Sequence, residues 1–383
     1  MKRRVALITE IIAPYRIPVF NALAENSEID LHVIFLSETD SSLRQWHVYK
    51  SEIRFSCSVL NSRRWRVGGY NLLLQRGLSK ELERFNPDVV ICGGYSYLAS
   101  WEALYWARRR RTPFVLWSES TLMDQRSRRS IVEMLKRFFV RKCDGFLVPG
   151  TAQRNYLEKL GADPQQITTA PNAVDNDFFA SGARLARADQ ASLRKQLQLP
   201  ARYFLFVGRL VLEKGVFELL EAYVRLEASI RSEVGLVFAG DGPARLELEQ
   251  RAAEVRPGSV MFPGFVQRQE LPAYYALAEA LVLPTYSDPW GLVVNEAMAC
   301  GLAVVVTSVA GCAADLVEHG NTGIVVASPE SGELSQAMRR LALQPELTRG
   351  MGANGEKRIQ NFSPRSWAAG VGQSMKLLTS MQQ

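Results

Sequence analysis

Histidine and cysteine are scarce in this 383-residue sequence, which holds three of the former and five of the latter. His32, His47 and His319 stand far apart, so no histidine-based ligand set is apparent, and each reads as a structural or surface residue. Cys57, Cys92, Cys143, Cys300 and Cys312 are odd in number and form no Cys-x-x-Cys pair. That spacing argues against a disulfide framework or a zinc site and for reduced, structural thiols. Long apolar runs are missing too, since none reaches the roughly 18 residues that a membrane span needs. The opening MKRRVALITEIIAPYR imitates a secretory leader. Glu10 interrupts its apolar stretch and no small-residue cleavage site follows, so it reads as a first buried strand in a cytoplasmic chain. Zinc-finger spacing, RNP-like aromatic segments and helix-turn-helix patterning are also absent, which leaves nucleic acid without support as a partner. The sequence has no low-complexity tract or short-period repeat.

The hydrophobic share of 47% and the charged share of 22% are ordinary globular values. Two domains of about 150–200 residues are expected, because one ordinary core does not extend over this length. The net charge of +7 is unevenly placed: residues 1–180 hold 26 Lys and Arg against 19 Asp and Glu, and the remainder 20 against 20. A basic half attracts an anionic lipid surface or a phosphorylated acceptor. Its most basic stretch, residues 126–142 (RSRRSIVEMLKRFFVRK), has apolar residues at helical spacing. Two readings stay open for it: a helix lying on an anionic membrane, or one packed on a sheet with a charged face in solvent.

Short β-rich runs alternate with helix-period stretches, the pattern of α/β domains with parallel sheets. In the first half, strands are expected at Arg4–Glu10, Asp30–Leu36, Phe55–Leu60, Asp88–Gly93, Pro113–Ser118, Gly145–Val148 and Ile167–Ala170. In the second they are expected at Tyr203–Gly208, Gly235–Ala239, Val260–Phe262, Ala280–Pro284, Ala303–Thr307 and Gly323–Val326. This gives a domain over residues 1–180, a linker with a short helix over 181–200, and a second domain over 201–363. A last helix over 364–383 is expected to pack back on the first domain.

In FVGRLVLEKG, Arg209 follows a strand and Lys214 stands at the start of the next helix. A parallel strand delivers its C-terminal end to the ligand crevice, and a helix N-terminus there offers N–H groups to phosphate. Two cations at that edge suit a diphosphate leaving group; otherwise they are solvated loop residues. SDPWGLVVNEAMACG repeats the strand–turn–helix layout. Asp288 would meet sugar hydroxyls and Glu296 ribose hydroxyls, while Gly291, Leu292 and Val293 would present N–H groups to phosphate. The alternative makes Asp288 a helix cap and Glu296 a solvated residue.

GRLVLEKG and DPWGLVVNEAMACGLAVVVT together resemble the nucleotide-sugar half of the retaining family 4 glycosyltransferases, which have the GT-B fold of two Rossmann-like domains facing across a cleft. GDGP (240–243), PGFV (263–266), GNTGIVV (320–326) and APNAVD (170–175) fall in that family's order. The resemblance implies transfer of a hexosyl group from a UDP- or GDP-sugar to a carbohydrate or lipid-linked acceptor, with retention, without a metal, in polysaccharide or glycolipid assembly. By position it implies Arg209 and Lys214 on the diphosphate and Glu296 on the ribose. Asp288, where the family usually has Glu, would meet the donor sugar, and Asp241, Pro243, Phe265 and Val266 would form the base pocket. Peripheral attachment to the inner face of the membrane through 126–142 is compatible with it.

The first half departs from the family. Its first loop reads IIAPYRIPVF rather than a Gly-Gly phosphate loop, so Tyr15 and Arg16 become candidates for an acceptor or phosphate loop. The family's active-site histidine is missing after the fifth strand, where PFVLWSES places Ser118 and Glu119. Glu119 is therefore the candidate acid–base or acceptor-orienting group; its alternative is an ion pair that holds a loop. Asp175-Asn176-Asp177 matches a metal-binding DxD but follows APNAV in an expected interdomain loop, and reads as structural. A nucleotide-sugar epimerase of the same fold and a non-catalytic nucleotide-sugar-binding protein remain as alternatives.

Overall fold

The computed structural model describes residues 2–39, 45–67, 70–124, 130–255 and 258–380. The basic residues Arg126, Arg128 and Arg129 lie outside that set. The chain divides into one unit of Met1–Val174 with Ser363–Gln383 and another of Asp175–Phe362.

The first unit is built on β1 (Arg3–Thr9), β2 (Ile29–Phe35), β3 (Ser56–Val59), β6 (Val89–Gly93), β7 (Phe114–Trp117), β8 (Gly145–Val148) and β9 (Ile167–Thr169), with β4 (Asn61–Val67) and β5 (Tyr70–Arg76) between β3 and β6. The seven-stranded sheet has the order β3-β2-β1-β6-β7-β8-β9 and is parallel throughout. β1 shows why its residues choose this place. Val5, Ala6 and Leu7 are all 0% exposed, because a central parallel strand is covered on both faces. Ala6 and Ile8 join one core cluster and Val5 and Leu7 the other, as the two-residue period of a strand requires. The helix Pro364–Ser380 closes the second of these cores, with Trp367 fully buried between Phe20 and Trp117 at ring distances of 5.7 and 5.5 Å. Gly370 lets it approach the sheet, where a Cβ would stand 2.3 Å from the Thr169 carbonyl oxygen.

The second unit is built on β10 (Arg202–Val207), β11 (Val234–Ala239), β12 (Val260–Gly264), β13 (Ala280–Leu283), β14 (Ala303–Thr307) and β15 (Gly323–Val326). Its parallel sheet has the order β12-β11-β10-β13-β14-β15. Both sheets are doubly wound, with the order reversing beside the first strand of each unit: between β1 and β6, and between β10 and β13. Such a reversal opens a crevice at the strands' C-terminal ends.

Two features differ from the sequence reading. β4 and β5 form an antiparallel hairpin that the strand assignment omitted, although Gly68-Gly69 between two β-rich runs is its signal. Residues 181–200 are not a linker. Helices Asn176–Ala188 and Gln190–Gln196 occupy most of the span and belong to the second unit, with Phe179, Ala183 and Ala186 buried. Packing is the cause: a Cβ on Gly182 would come within 2.7 Å of Pro272, so small residues bring this helix close to Leu271–Ala276.

Candidate active site

The switch point of the second sheet gathers most of the residues singled out above. β10 ends at Val207, and the chain leads through Gly208 and Arg209 to a turn at Leu212–Lys214 and a helix from Val216. Gly215 has φ +65°, and a Cβ there would lie 1.9 Å from the Pro284 carbonyl oxygen, so the turn after β10 sits against the end of β13. Gly240 is equally confined, 1.8 Å from the Gly208 carbonyl oxygen by the same measure. Glycine is needed at both places because backbone meets backbone. The loops are joined by main-chain hydrogen bonds: Leu210 N–H donates to Asp241 O at 2.9 Å, Tyr286 N–H to Glu213 O at 2.9 Å, and Gly311 N–H to Asp288 O at 2.9 Å.

Lys214 Nζ donates to Asp288 Oδ2 at 2.5 Å, with both side chains mostly buried. The other oxygen of Asp288 accepts from Trp290 N at 3.1 Å. Asp288 thus makes a local turn and an ion pair; it is not the cap of the following helix. That cap is Gly291 at φ +95°, with no side-chain hydrogen bond, ahead of Leu292–Ala299. Gly291, Leu292 and Val293 therefore open the helix, Leu292 and Val293 half-buried, where first-turn N–H groups lack intrahelical acceptors. Trp290, 3% exposed, fixes the turn by donating its Nε1 to Asn295 Oδ1 at 2.8 Å. Arg209 is exposed and makes no ion pair among the described residues.

Glu296 lies one turn into the same helix. The Tyr275 hydroxyl donates to its Oε2 at 2.6 Å. Burial pushes this carboxyl up to about 7, against the opposing effects of the Tyr275 hydrogen bond and the Arg268 charge. Tyr275 is itself fully buried, and burial and the Glu296 charge keep its phenol protonated. Sequence reading missed Tyr275 because nothing in the chain marks a tyrosine 21 positions before its partner. Asp241 and Pro243 follow β11, with Asp241 Oδ1 accepting from Gly242 N at 2.8 Å. Phe265 and Val266 follow β12; Val266 is buried and Phe265 is 39% exposed.

In the first unit a second set forms at the ends of β1 and β7. Pro14–Arg16 is a single 3-10 turn that leads into helix Ile17–Ala24. Arg16 is 7% exposed, lies over the Trp117 ring at 4.6 Å, donates to Asn172 Oδ1 at 2.9 Å, and pairs with Glu119. Asn172 Nδ2 donates to the same Glu119 oxygen at 2.6 Å. Arg16, Glu119 and Asn172 are therefore a closed triangle, and Asn172 is a member that sequence reading left out, although it sits in the APNAVD segment. Tyr15 is half-buried and meets Trp46 edge to face at 5.7 Å. Ser118 is 1% exposed, and its hydroxyl lacks a hydrogen-bond partner among the described residues. Glu10, at the end of β1, is held by both Arg64 Nη1 and Nη2 at 3.1 Å, which anchors the β4–β5 hairpin to this edge.

The remaining candidates resolve simply. Asp175 caps helix Asn176–Ala188 by accepting from Phe178 N at 3.0 Å. His32 is buried and bonded to Ser56, Ser58 and Glu81 at 2.8, 3.1 and 3.1 Å. Among the described residues no cluster of three or more His, Cys, Asp or Glu could hold a metal ion.

Two doubly wound parallel sheets, one with Arg209, Lys214 and a glycine-started helix in the loops at its switch point, define an α/β protein whose ligand crevices open at the strands' C-terminal ends. Family comparison is more specific. The profile described as Glycosyltransferase Family 4 matches residues 21–178, and that described as Glycosyl transferases group 1 matches residues 189–358. The chain is 32% identical over 236 residues to alpha-D-kanosaminyltransferase of Streptomyces kanamyceticus, covering 61% of this chain and 60% of that one. It is 33% identical over 212 residues to D-inositol 3-phosphate glycosyltransferase of Geodermatophilus obscurus, covering 52% and 46%. The match thus spans about half to three fifths of these relatives' length. Anabaena HepE, solved in complex with UDP, superposes with a TM-score of 0.77 at 18% identity, covering 98% of this chain and 100% of that one. The chain belongs to the family 4 glycosyltransferases, and its fold is GT-B.

Proposed function

We propose that the protein transfers a hexosyl group from a UDP- or GDP-sugar to a hydroxyl of a carbohydrate or lipid-linked acceptor, with retention of configuration and without a metal ion. The observation that carries this reading is the Lys214–Asp288 ion pair, which ties the loop after β10, where Arg209 stands, to the loop ahead of the Gly291-capped helix that carries Glu296. These groups match the chemistry of the reaction. As the bond from sugar C1 to the phosphate oxygen breaks, its electron pair goes to the diphosphate. Arg209, Lys214 and the N–H groups of Gly291, Leu292 and Val293 stabilise that charge. The acceptor oxygen bonds to C1, and its proton passes to the departing phosphate. Ionised Glu296 accepts from ribose hydroxyls, Asp288 from the donor sugar, and Asp241, Pro243, Phe265 and Val266 border the base. Glu119, held by Arg16 and Asn172, orients the acceptor, with Tyr15 and Ser118 beside it.

The glycosyltransferase relatives support sugar transfer, and the UDP complex of the structural neighbour supports a nucleotide-sugar donor. Cytoplasmic residence with peripheral attachment to the membrane through 126–142 completes the reading; no helix among the described residues is long and apolar enough to cross a bilayer. A thermal-shift panel of UDP-, GDP-, ADP- and dTDP-sugars tests it, because a ligand bound only by the folded protein raises its melting temperature. A UDP- or GDP-sugar should raise it most. A flat response to all four would refute the donor reading.

A further inference from the structure

Helix Ser130–Val140 has apolar residues on two opposite faces. Phe139 and Val140 enter the core of the first unit at 0% and 1% exposure. Ile131, Met134, Leu135 and Phe138 repeat at i, i+3, i+4 and i+7, which places them on one stripe. That stripe faces outward, with exposures of 65%, 62%, 46% and 52%. Of the two readings left open by the sequence, packing on the first unit holds for Phe139 and Val140, while the outward face carries this apolar stripe as well as charge.

The stripe continues onto the neighbouring helix Leu98–Arg110. Trp101 stacks on Phe138 with centroids 6.3 Å apart and planes 7° from parallel. Tyr105, about one turn further along, is 63% exposed. A contiguous exposed apolar surface of this kind marks a contact site. Cations border it: Arg108 to Arg111 end one helix, while Arg137, Arg141 and Lys142 run along and beyond the other. Lys142 Nζ lies 5.6 Å over the Phe138 ring. Neighbouring carboxylates are already engaged, Glu133 by Lys136 at 2.8 Å and Asp144 by Arg108 at 3.2 Å.

A second copy of the chain docked here by two-fold symmetry would bring these cations against their own duplicates, which like-charge repulsion opposes. A bilayer rich in anionic lipid offers an acyl boundary for the stripe and phosphate groups for the cations at the same depth. We propose that the outward faces of Leu98–Arg110 and Ser130–Val140 form a docking surface for an anionic lipid bilayer, with the second helix lying in the headgroup plane. This deepens the partner reading given above and rests on the transferase reading only for the acceptor's identity, since the binding itself involves no sugar.

Co-sedimentation with vesicles of phosphatidylglycerol and phosphatidylcholine, without any sugar nucleotide, tests the proposal. The protein should pellet with the anionic vesicles, much less with pure phosphatidylcholine, and less at high salt. Combining Arg137→Gln, Arg141→Gln and Lys142→Gln should weaken vesicle binding by on the order of 10²-fold, as three near-surface cations are removed. Ile131→Ser with Met134→Ser and Phe138→Ser should weaken it by a similar factor or more, because buried methylenes are lost from the interface. Donor-induced thermal shifts should stay unchanged in both variants, so a failed vesicle test is distinguishable from a failed donor reading. Should the triple serine variant not melt cooperatively, Met134→Asp alone carries the test on an exposed side chain. Wild type absent from the anionic pellet, or apolar variants that bind as wild type does, would overturn the proposal. A wild-type dimer in solution that these variants dissociate, without vesicle binding, would assign the surface to a second copy instead.

Discussion

Replacing Tyr275 by phenylalanine isolates the chemistry of Glu296. The carboxyl titrates near 7 because burial withdraws its charged form from water, and the 2.6 Å hydrogen bond from Tyr275 already offsets part of that cost. A hydrogen bond to a charged group contributes about 1.5–3 kcal/mol, and each pH unit corresponds to about 1.4 kcal/mol. Loss of the phenol should therefore move the titration of Glu296 upward by about 1–2 pH units. On the ribose-binding reading, only the ionised carboxylate offers acceptors to both hydroxyls, so binding follows the ionised fraction. Wild-type donor affinity should rise with pH through about 7 and level off above it. In Tyr275→Phe the same rise should begin later, leaving affinity at pH 7 weaker by about 5- to 50-fold and nearly restored at high pH.

Calorimetric titration with the intact sugar nucleotide between pH 5.5 and 9.5 reads this directly. The intact donor is preferable to the free nucleoside diphosphate, whose terminal phosphate titrates in the same range. A midpoint that stays in place or falls would refute the reasoning. So would an equal loss of affinity at every pH, because that outcome reports a change of shape rather than of charge.

Arg209→Ala and Lys214→Ala should each lower turnover by about 10²-fold while the protein still melts cooperatively, since the leaving diphosphate loses a compensating charge; near-wild-type rates in both would remove them from the mechanism. Activity should persist in excess EDTA, and a complete loss restored by manganese would sink the metal-free reading. Glu119→Gln keeps the shape of the triangle but removes its negative charge, and should depress transfer strongly while donor affinity holds and donor hydrolysis falls less. An unchanged transfer rate with a lowered melting temperature would show that Glu119 serves only to fix Arg16 and Asn172.

What the sequence revealed follows the strength of its periodic signals. Buried parallel strands such as Val304-Val305-Val306, all 0% exposed, stand out as continuous β-branched runs, and every strand of the two main sheets was found within two residues of its observed bounds. The stretch after Val174 hid its helices because its contact face is made largely of alanine. Ala183 and Ala186 pack as core residues yet contribute little to an apolar pattern, and Gly182 reads as a loop residue until Pro272 is seen against it. At the site, residues tied to strand ends were legible in the same way: Arg209 and Lys214 after β10, Asp288 and Gly291 after β13. Tyr275 and Asn172 were not, because each acquires its partner only through tertiary packing, across 21 and 53 positions.

The ion pair between Lys214 and Asp288 gives the aspartate a physical meaning that its shorter length alone does not. One of its oxygens is occupied by the lysine at 2.5 Å and the other by the Trp290 N–H at 3.1 Å, so the side chain is fixed before any ligand arrives. Without ligand, Lys214 is already compensated, whereas Arg209 stands exposed and without an ion pair among the described residues. On the transferase reading the two cations therefore divide the work. Arg209 provides the net charge that an incoming diphosphate senses at a distance, and Lys214 is a pre-oriented dipole whose ammonium must be shared with phosphate oxygens. Sharing weakens its hold on Asp288 and releases a carboxylate oxygen at the moment when the donor sugar's hydroxyls need an acceptor. A glutamate with an additional methylene could reach those hydroxyls without giving up the lysine. With aspartate the phosphate and sugar contacts are coupled through one short side chain that Lys214 holds in place. Lys214→Ala should therefore loosen Asp288 and lower calorimetric affinity for the intact sugar nucleotide more than for the free nucleoside diphosphate; an equal loss for both would refute the coupling.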